Sequence, residues 1–245
     1  MKKFISSTSL VVVFFFLSCH TSYKAEQVQY SSYRIQNTGA AGTSFSALLF
    51  HYSDSVNKLM NKVIGENESV LDKKRQANVL GYFIADAYLY MARKRHGEQV
   101  VAAFMNSGGV RLPELAAGPI TLGKIFELMP FDNQMMVVKM KGSFLKQYLD
   151  TLLVRDGIIQ SGLTLNVANK ISEKVMVGDK PLDPNTEYTI VHSDYVVNNT
   201  PFLKDIYRNT DGYLLRDAII DYVKSMSEQG KKIIVQNSGR VNYAE

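Results

Sequence analysis

"NVLGYFIADAYLYMARKRHGEQVVAAFMNSGGVR", Asn78 to Arg111, decides how the chain folds. Val79, Leu80, Phe83, Ile84, Ala87 and Met91 recur at helical spacing and make one apolar stripe. The last turn of that helix is basic and Gly97 stops it, as the helix dipole and a glycine cap favour. "QVVAAFM" follows at once, a short continuous apolar run that reads as a buried strand. A long helix feeding a buried strand through a two-residue connection sets the class as α/β. "NSGGVR" then leaves the strand. Its paired glycines and arginine suit either a cradle for an anion or a tight turn whose arginine faces water.

Outward from that unit, helices and strands interleave. N-terminal to it, "SDSVNKLMNKVIGE" places Val56, Leu59, Met60, Val63 and Ile64 at helical spacing, with Ser53 or Asp54 as cap. C-terminal to it come a short helix, "TLGKIFELM", ended by Pro130, a strand "QMMVVKMKG" and an amphipathic helix from Ser143. "GLTLNVAN" and "KVMVG" read as strands. "KPLDPNTEYTIVHSDY" is a turn feeding another strand, with Tyr195 at its end. "YLLRDAIIDYVKSMSEQG" is the last long helix and "KIIVQN" a closing strand. The order lacks the regular alternation of a doubly wound sheet. It predicts an α/β domain of α+β type, with a mixed β-sheet and helices layered on it.

The 245 residues carry 46% apolar and 21% charged side chains, enough for a sizeable core. The net charge of +5 is spread along the chain. With no basic tail or stripe, the sequence does not predict nucleic-acid binding. The first residues are more specific. Lys2 and Lys3 precede an apolar run from Leu10 to Leu17, too short for a bilayer-spanning helix and right for a secretory signal. The run ends in "FLSC", which resembles a bacterial lipobox with lipid on Cys19, the single cysteine. A plain secretory signal with an incidental cysteine is the alternative. The expected division is a lipoprotein signal over residues 1–18, a polar tether over 19–45 and a folded domain over 46–245. The expected location is outside the cytoplasm, on the membrane through the anchor.

Metal, phosphate-loop and triad chemistry find little support in the residue pattern. His20, His51, His96 and His192 lie far apart and form no ligand motif. "GPITLGKI" from Gly118 has the glycine and lysine of a phosphate loop. However, Ile125 stands where Ser or Thr would meet Mg²⁺, and Pro119 removes a donor. No G-x-S-x-G occurs, and His192 reads as a lone structural imidazole. A binding constellation remains. Gly108 and Gly109 let a ligand approach backbone, and Asn106 and Arg111 are polar readers. Phe131 and Tyr195 offer aromatic faces to a flat heterocycle. For each ring taken alone, a place in the core is the competing reading.

Joined in order, these segments resemble the C-terminal, substrate-binding domain of the 5'-nucleotidase / UDP-sugar hydrolase family. The resemblance runs over about residues 55–240. It rests on "KKRQANVLGYFIADA", N-x-G-G-[IV]-R at Asn106–Arg111, G-x-I-T at Gly118–Thr121, and P-F-x-N at Pro130–Asn133. "GLTLNV" and "PLDPNTEYTIVHSDYVVNN" complete it. In that family this domain grips the nucleoside, and a separate metallophosphoesterase domain with two metal ions cuts the phosphate. The resemblance therefore implies a substrate site of Asn106, Gly108, Gly109, Arg111, Phe131, Asn133 and Tyr195. Arg75, or Lys74 beside it, takes the place of a basic residue that touches ribose or phosphate.

The chain departs from the pattern at two further places. Asn199, Thr200 and Pro201 stand where G-G-D-G usually follows the second aromatic, and Ala77 replaces a common acidic residue. The implied function is a nucleotide- or nucleoside-binding domain that acts with a separately encoded metallophosphatase. No cofactor is expected in this chain; divalent metals are expected only in that partner. The alternative is a surface lipoprotein that captures a ligand with no hydrolase partner.

Overall fold

The computed structural model describes residues 43–74, 78–155, 157–203, 206–236 and 239–244. The expected signal, Cys19, most of the tether and Arg75 lie outside these residues. Ala47–Glu245 forms one compact unit; of the other, Met1–Ser46, only the start of the first helix is described.

That helix, α1, runs Thr43–Met60. It starts ten residues before the expected cap and stops short of Val63. Val63 and Ile64 belong instead to strand β1, Val63–Asn67, which pairs antiparallel with β5, Gly118–Thr121. The helical spacing of Val63 and Ile64 misled because the same two residues also satisfy a strand. Gly65, the next residue of β1, lets the last long helix approach: a Cβ there would lie 2.6 Å from Val223 Cγ1. β2, Leu71–Asp72, pairs with β4, Glu114–Leu115.

The deciding unit folds as read. α2 spans Val79–His96, and Asn78 caps it by accepting from Gly81 N–H at 2.8 Å. β3 is Val100–Met105. β3 sits inside a five-stranded sheet ordered β12-β6-β11-β3-β7. Here β6 is Met135–Lys141, β7 Ile159–Ser161, β11 Glu187–Ser193 and β12 Tyr207–Asn209. β11 runs parallel to β3 and antiparallel to β6.

Alternation along these strands divides the core. Ala103, Met105, Met135, Val137 and Val191 pack with α2, with α3 (Leu122–Leu128) and with α6 (Leu215–Glu228). Ala102, Phe104, Met136, Val138, Met140 and Ile190 face the other way, onto α4 (Gly142–Arg155) and a second sheet. The second sheet is ordered β10-β9-β8-β13, with β8 Leu163–Ala168, β9 Ile171–Val177, β10 Lys180–Pro181 and β13 Val241–Tyr243. A mixed sheet with helices layered on it is the architecture the sequence predicted.

"TLGKIFELM" forms α3 directly after β5, with Thr121 as cap, as the sequence predicted. Two corrections remain. "KIIVQN" is not a strand: only Ile233 bridges, to Asn67, and β13 closes the second sheet instead. Tyr195 does not end a strand; it sits in the first turn of a short helix, α5, Asp194–Asn199.

Candidate functional site

β3 and β11 are parallel and β6 is antiparallel to β11, so the segments after Met105, before Met135 and after Ser193 leave one end of the sheet. The pairing of Ser193 with Met135 fixes two of them side by side. Asp194 N–H donates to Gln134 O at 3.0 Å and continues the pairing past the strands. The topology thus brings the Asn106–Arg111, Phe131–Asn133 and Tyr195 segments to one edge.

Asn106 keeps extended backbone, and Ser107–Gly109 makes one 3₁₀ turn. Gly109 N–H donates to Asn106 O at 3.0 Å, and Arg111 N–H to Leu128 O at 3.0 Å. The two glycines serve different ends. Gly109 is buried, and a Cβ there would lie 3.2 Å from Met105 Cε, so it is a packing glycine. Gly108 is exposed, with only Asn106 Nδ2 within 4 Å of such a Cβ, so its backbone is open to a ligand. Lys73 Nζ donates to Ser107 O at 2.8 Å and Val110 O at 3.2 Å and closes the turn from outside. The sequence pointed to Arg75 or Lys74 as the cation here. Lys74 instead pairs with Asp72 at 2.6 Å.

Arg111 and Phe131 meet. The Arg111 guanidinium carbon lies 4.8 Å from the Phe131 ring centre, and the half-buried ring packs on the first core. Arg216 of α6, 8% exposed, holds this corner from beneath. It donates to Met129 O at 3.5 Å, to Phe131 O at 3.3 Å and to the Asp132 carboxylate, and covers the Phe126 ring at 4.3 Å. Asn133 O accepts from Leu215 N–H at 2.9 Å and ties the same corner to the start of α6.

Asn106, Gly108 and Tyr195 line a separate cleft of about 460 Å³. It opens between the Ser107 turn, α4 and α5, on the second-core side of the sheet. Arg111, Phe131, Gly109 and Asn133 are not among its walls. Tyr195 is 59% exposed. Its N–H donates to Ser193 Oγ at 3.1 Å and to Asp194 Oδ1 at 2.7 Å, so both residues are engaged in capping α5. Pro201 opens a 3₁₀ turn, Pro201–Leu203.

Two residues of the cleft were not singled out as ligand contacts by the sequence. Tyr148, in an apolar position of α4, is 1% exposed. Its Oη has no hydrogen-bond partner among the described residues. Burial raises its pKa well above the ordinary tyrosine range. His192 is 2% exposed and accepts from Ser193 N–H at Nδ1, at 2.7 Å. Burial pushes its pKa down to about 3, so the ring is neutral with its proton on Nε2. It stacks on Phe104 at 6.0 Å and meets Tyr148 edge-on at 6.3 Å. A pattern of apolar and polar letters shows neither, because both read as ordinary interior positions.

A second cavity of about 580 Å³ borders Asp86, Tyr90, Arg93 and Tyr222. Arg240 and Ser161 already occupy the Asp86 carboxylate. Among the described residues no three or more His, Cys, Asp or Glu side chains gather as a metal site. Nor is any described helix long and apolar enough to cross a membrane.

Comparison with known proteins places these features. A family model described as "5'-nucleotidase, C-terminal domain" matches residues 56–204. A 5'-nucleotidase of Vibrio parahaemolyticus is 28% identical over 183 residues, 69% of this chain and 31% of that protein. A cell wall protein of Listeria monocytogenes is 29% identical over 199 residues, 73% of this chain and 25% of that protein. The solved 5'-nucleotidase precursor of Thermus thermophilus superposes with a TM-score of 0.69 at 25% identity, over 82% of this chain and 43% of that one. NAD nucleotidase of Haemophilus influenzae shares the fold, with a TM-score of 0.63 at 18% identity, over 82% of this chain and 42% of that one. The chain therefore spans less than half the length of each of these relatives.

Proposed function

The chain belongs to the 5'-nucleotidase C-terminal domain family, and from that premise we propose that it binds a nucleotide or nucleoside at the sheet end carrying Asn106, Arg111, Phe131 and Tyr195. The observation that carries this reading is the Arg111–Phe131 pair, presented at the same edge as the cleft beside Asn106 and Tyr195. Phe131 and Tyr195 supply ring faces, each worth about 1–3 kcal/mol against a base. Arg111 supplies a directional cation for an anionic group. Gly108 leaves backbone within reach, and Asn106 offers both donor and acceptor.

The hydrolytic step belongs to a separately encoded metallophosphatase. Its divalent metals would need several converging N, O or S donors. The described residues do not fit that need, so no bond-breaking step is assigned to them. Cys19 carries the lipid, and residues 19–45 tether the domain on the exported side of the membrane.

Calorimetry of the purified chain with AMP, adenosine and uridine tests the binding claim. Saturable binding that weakens in Arg111→Ala supports it, and no heat with any of the three refutes it. Robust metal-dependent hydrolysis of AMP by the chain alone would refute the division of labour. A second reading, a ligand-capturing surface protein with no hydrolase partner, draws on Asn199, Thr200 and Pro201, between the end of α5 and the following 3₁₀ turn, standing in place of G-G-D-G. Adding the chain to a metallophosphatase that lacks this domain separates the two: restored turnover favours the first, unchanged turnover the second.

A further inference from the structure

We propose that α1 lies along the surface of the bilayer that holds the lipid of Cys19, with Leu48, Leu49, Tyr52, Val56 and Leu59 dipped into the interface. The inference rests on the lipid-anchor reading and adds a second, non-covalent contact to it.

The argument starts from a stripe that the domain leaves bare. With 3.6 residues per turn, these five positions of α1 fall within one arc of about 100°. Their exposure runs from 49% at Leu49 to 70% at Tyr52. A domain normally turns such a stripe onto its core, yet both apolar cores are built without a residue of α1. A bare stripe of this size marks a face for a protein or for a membrane.

Reach decides between the two. Thr43 stands 24 positions after Cys19, and that length of chain spans at most about 85 Å. A lipid on Cys19 therefore keeps α1 within that distance of a bilayer. Contact between helix and bilayer becomes an intramolecular event, favoured over contact with a dilute partner.

The make-up of α1 suits lying on a membrane. No described helix is long and apolar enough to cross one. The arc opposite the stripe carries Asp54 and Lys58, the only acid and the only lysine of α1, paired at 2.7 Å. They cancel, so the polar face has no net charge to seek anionic headgroups. Apolar burial is then the driving force, and a zwitterionic surface suffices. Tyr52, in the middle of the stripe, has the apolar ring and polar tip that favour the interface.

The test is a depth measurement on the acylated chain in phosphatidylcholine vesicles. A nitroxide is placed on Tyr52→Cys and, separately, on Asn57→Cys, which lies outside the stripe; the acylated Cys19 takes no label. The label at 52 should lose most of its collisions with a water-soluble nickel chelate and gain collisions with oxygen, which concentrates in acyl chains. The label at 57 should show the reverse. Leu48→Asn together with Val56→Asn should cut the partition of the helix into the bilayer roughly ten-fold or more and return the label at 52 to water. The melting temperature should hold, since both side chains are exposed. Lys58→Gln should leave the label in place.

Two labels equally open to the chelate overturn the inference and leave the anchor standing. A label at 52 shielded from both chelate and oxygen means that protein covers the stripe, whether a second copy or another chain, and overturns it too. A chain without lipid on Cys19 that washes off the vesicles overturns both readings.

Discussion

The Arg111 guanidinium lies over the Phe131 ring, 4.8 Å from its centre, although 20 positions separate them in sequence. The arginine is exposed and the ring half-buried, so the pair has a wet side and an anchored side. An exposed cation–π contact contributes only about 0.5–1 kcal/mol to stability. Arg111→Ala should therefore shift the melting temperature by a few degrees at most, while AMP affinity falls roughly ten-fold. Arg111→Lys should restore little of it, since an ammonium lacks the planar fork.

The two aromatics should respond differently to truncation. Phe131 packs on the first core, so Phe131→Ala removes buried contact and should lower stability by about 2 kcal/mol as well as weaken binding. Tyr195 is 59% exposed, and Tyr195→Ala should weaken binding with the melting curve nearly unmoved. Urea denaturation beside calorimetry reads both. A large stability loss in Tyr195→Ala would show that its ring is core.

Arg216 shapes the Phe131 corner without reaching the cleft. It bonds the carbonyls of Met129 and Phe131, and its Asp132 partner is 77% exposed, so the ion pair itself contributes little. Arg216→Met should cost about 2 kcal/mol, through the two carbonyls it abandons and the lost contact with Phe126. Asp132→Ala should cost under about 1 kcal/mol. If the two variants lose equal stability in urea, the ion pair holds the corner and the carbonyl bonds do not.

What the sequence made legible follows from which forces write locally. α2 and β3 were readable because spacing, a basic last turn and Gly97 agree with the tertiary burial of those same residues. The glycine turn and P-F-x-N could be named as a candidate site because backbone constraints and ring chemistry show in single letters. β1 and β13 were not readable. Val63–Asn67 becomes a strand by pairing with Gly118–Thr121, and Val241–Tyr243 by pairing with Leu165–Val167, partners more than fifty residues away. The cleft floor was hidden for the same reason. Tyr148 sits on an ordinary amphipathic helix, and only the packing of α4 on β3 and β11 sets its ring edge-on to His192.

Asp86 and Arg240 hold the last strand to α2. Arg240 Nη1 and Nη2 meet the two Asp86 oxygens at 2.7 Å each, and Ser161 Oγ adds a bond at 2.6 Å. Both side chains are largely buried, at 14% and 21% exposure. Arg240→Ala would leave a carboxylate in a dry place and should cost about 3 kcal/mol. Asp86→Ala with Arg240→Ala should cost less than Arg240→Ala alone, because the stranded charge is gone. A double-mutant cycle in urea measures this, and a strictly additive result would mean the two residues act independently.

His192 gives the fold an acid-sensitive point. The unfolded chain takes up a proton on this residue below about pH 6.5, whereas the buried ring in the fold resists it until about pH 3. Between those values the unfolded state binds more protons, so stability rises with pH across the window. The contribution is complete above about pH 6.5 and is lost as pH falls from there towards about 3. The steepest loss is about 1.4 kcal/mol per pH unit. Carboxylates add a slope of the same sign at lower pH, so the informative interval is pH 6.5 to 5, by the ordinary pKa values of the two groups. Urea denaturation at half-unit steps there should show the chain losing stability faster than His192→Asn. Parallel curves for the two proteins would mean that His192 takes up its proton as readily in the fold as out of it.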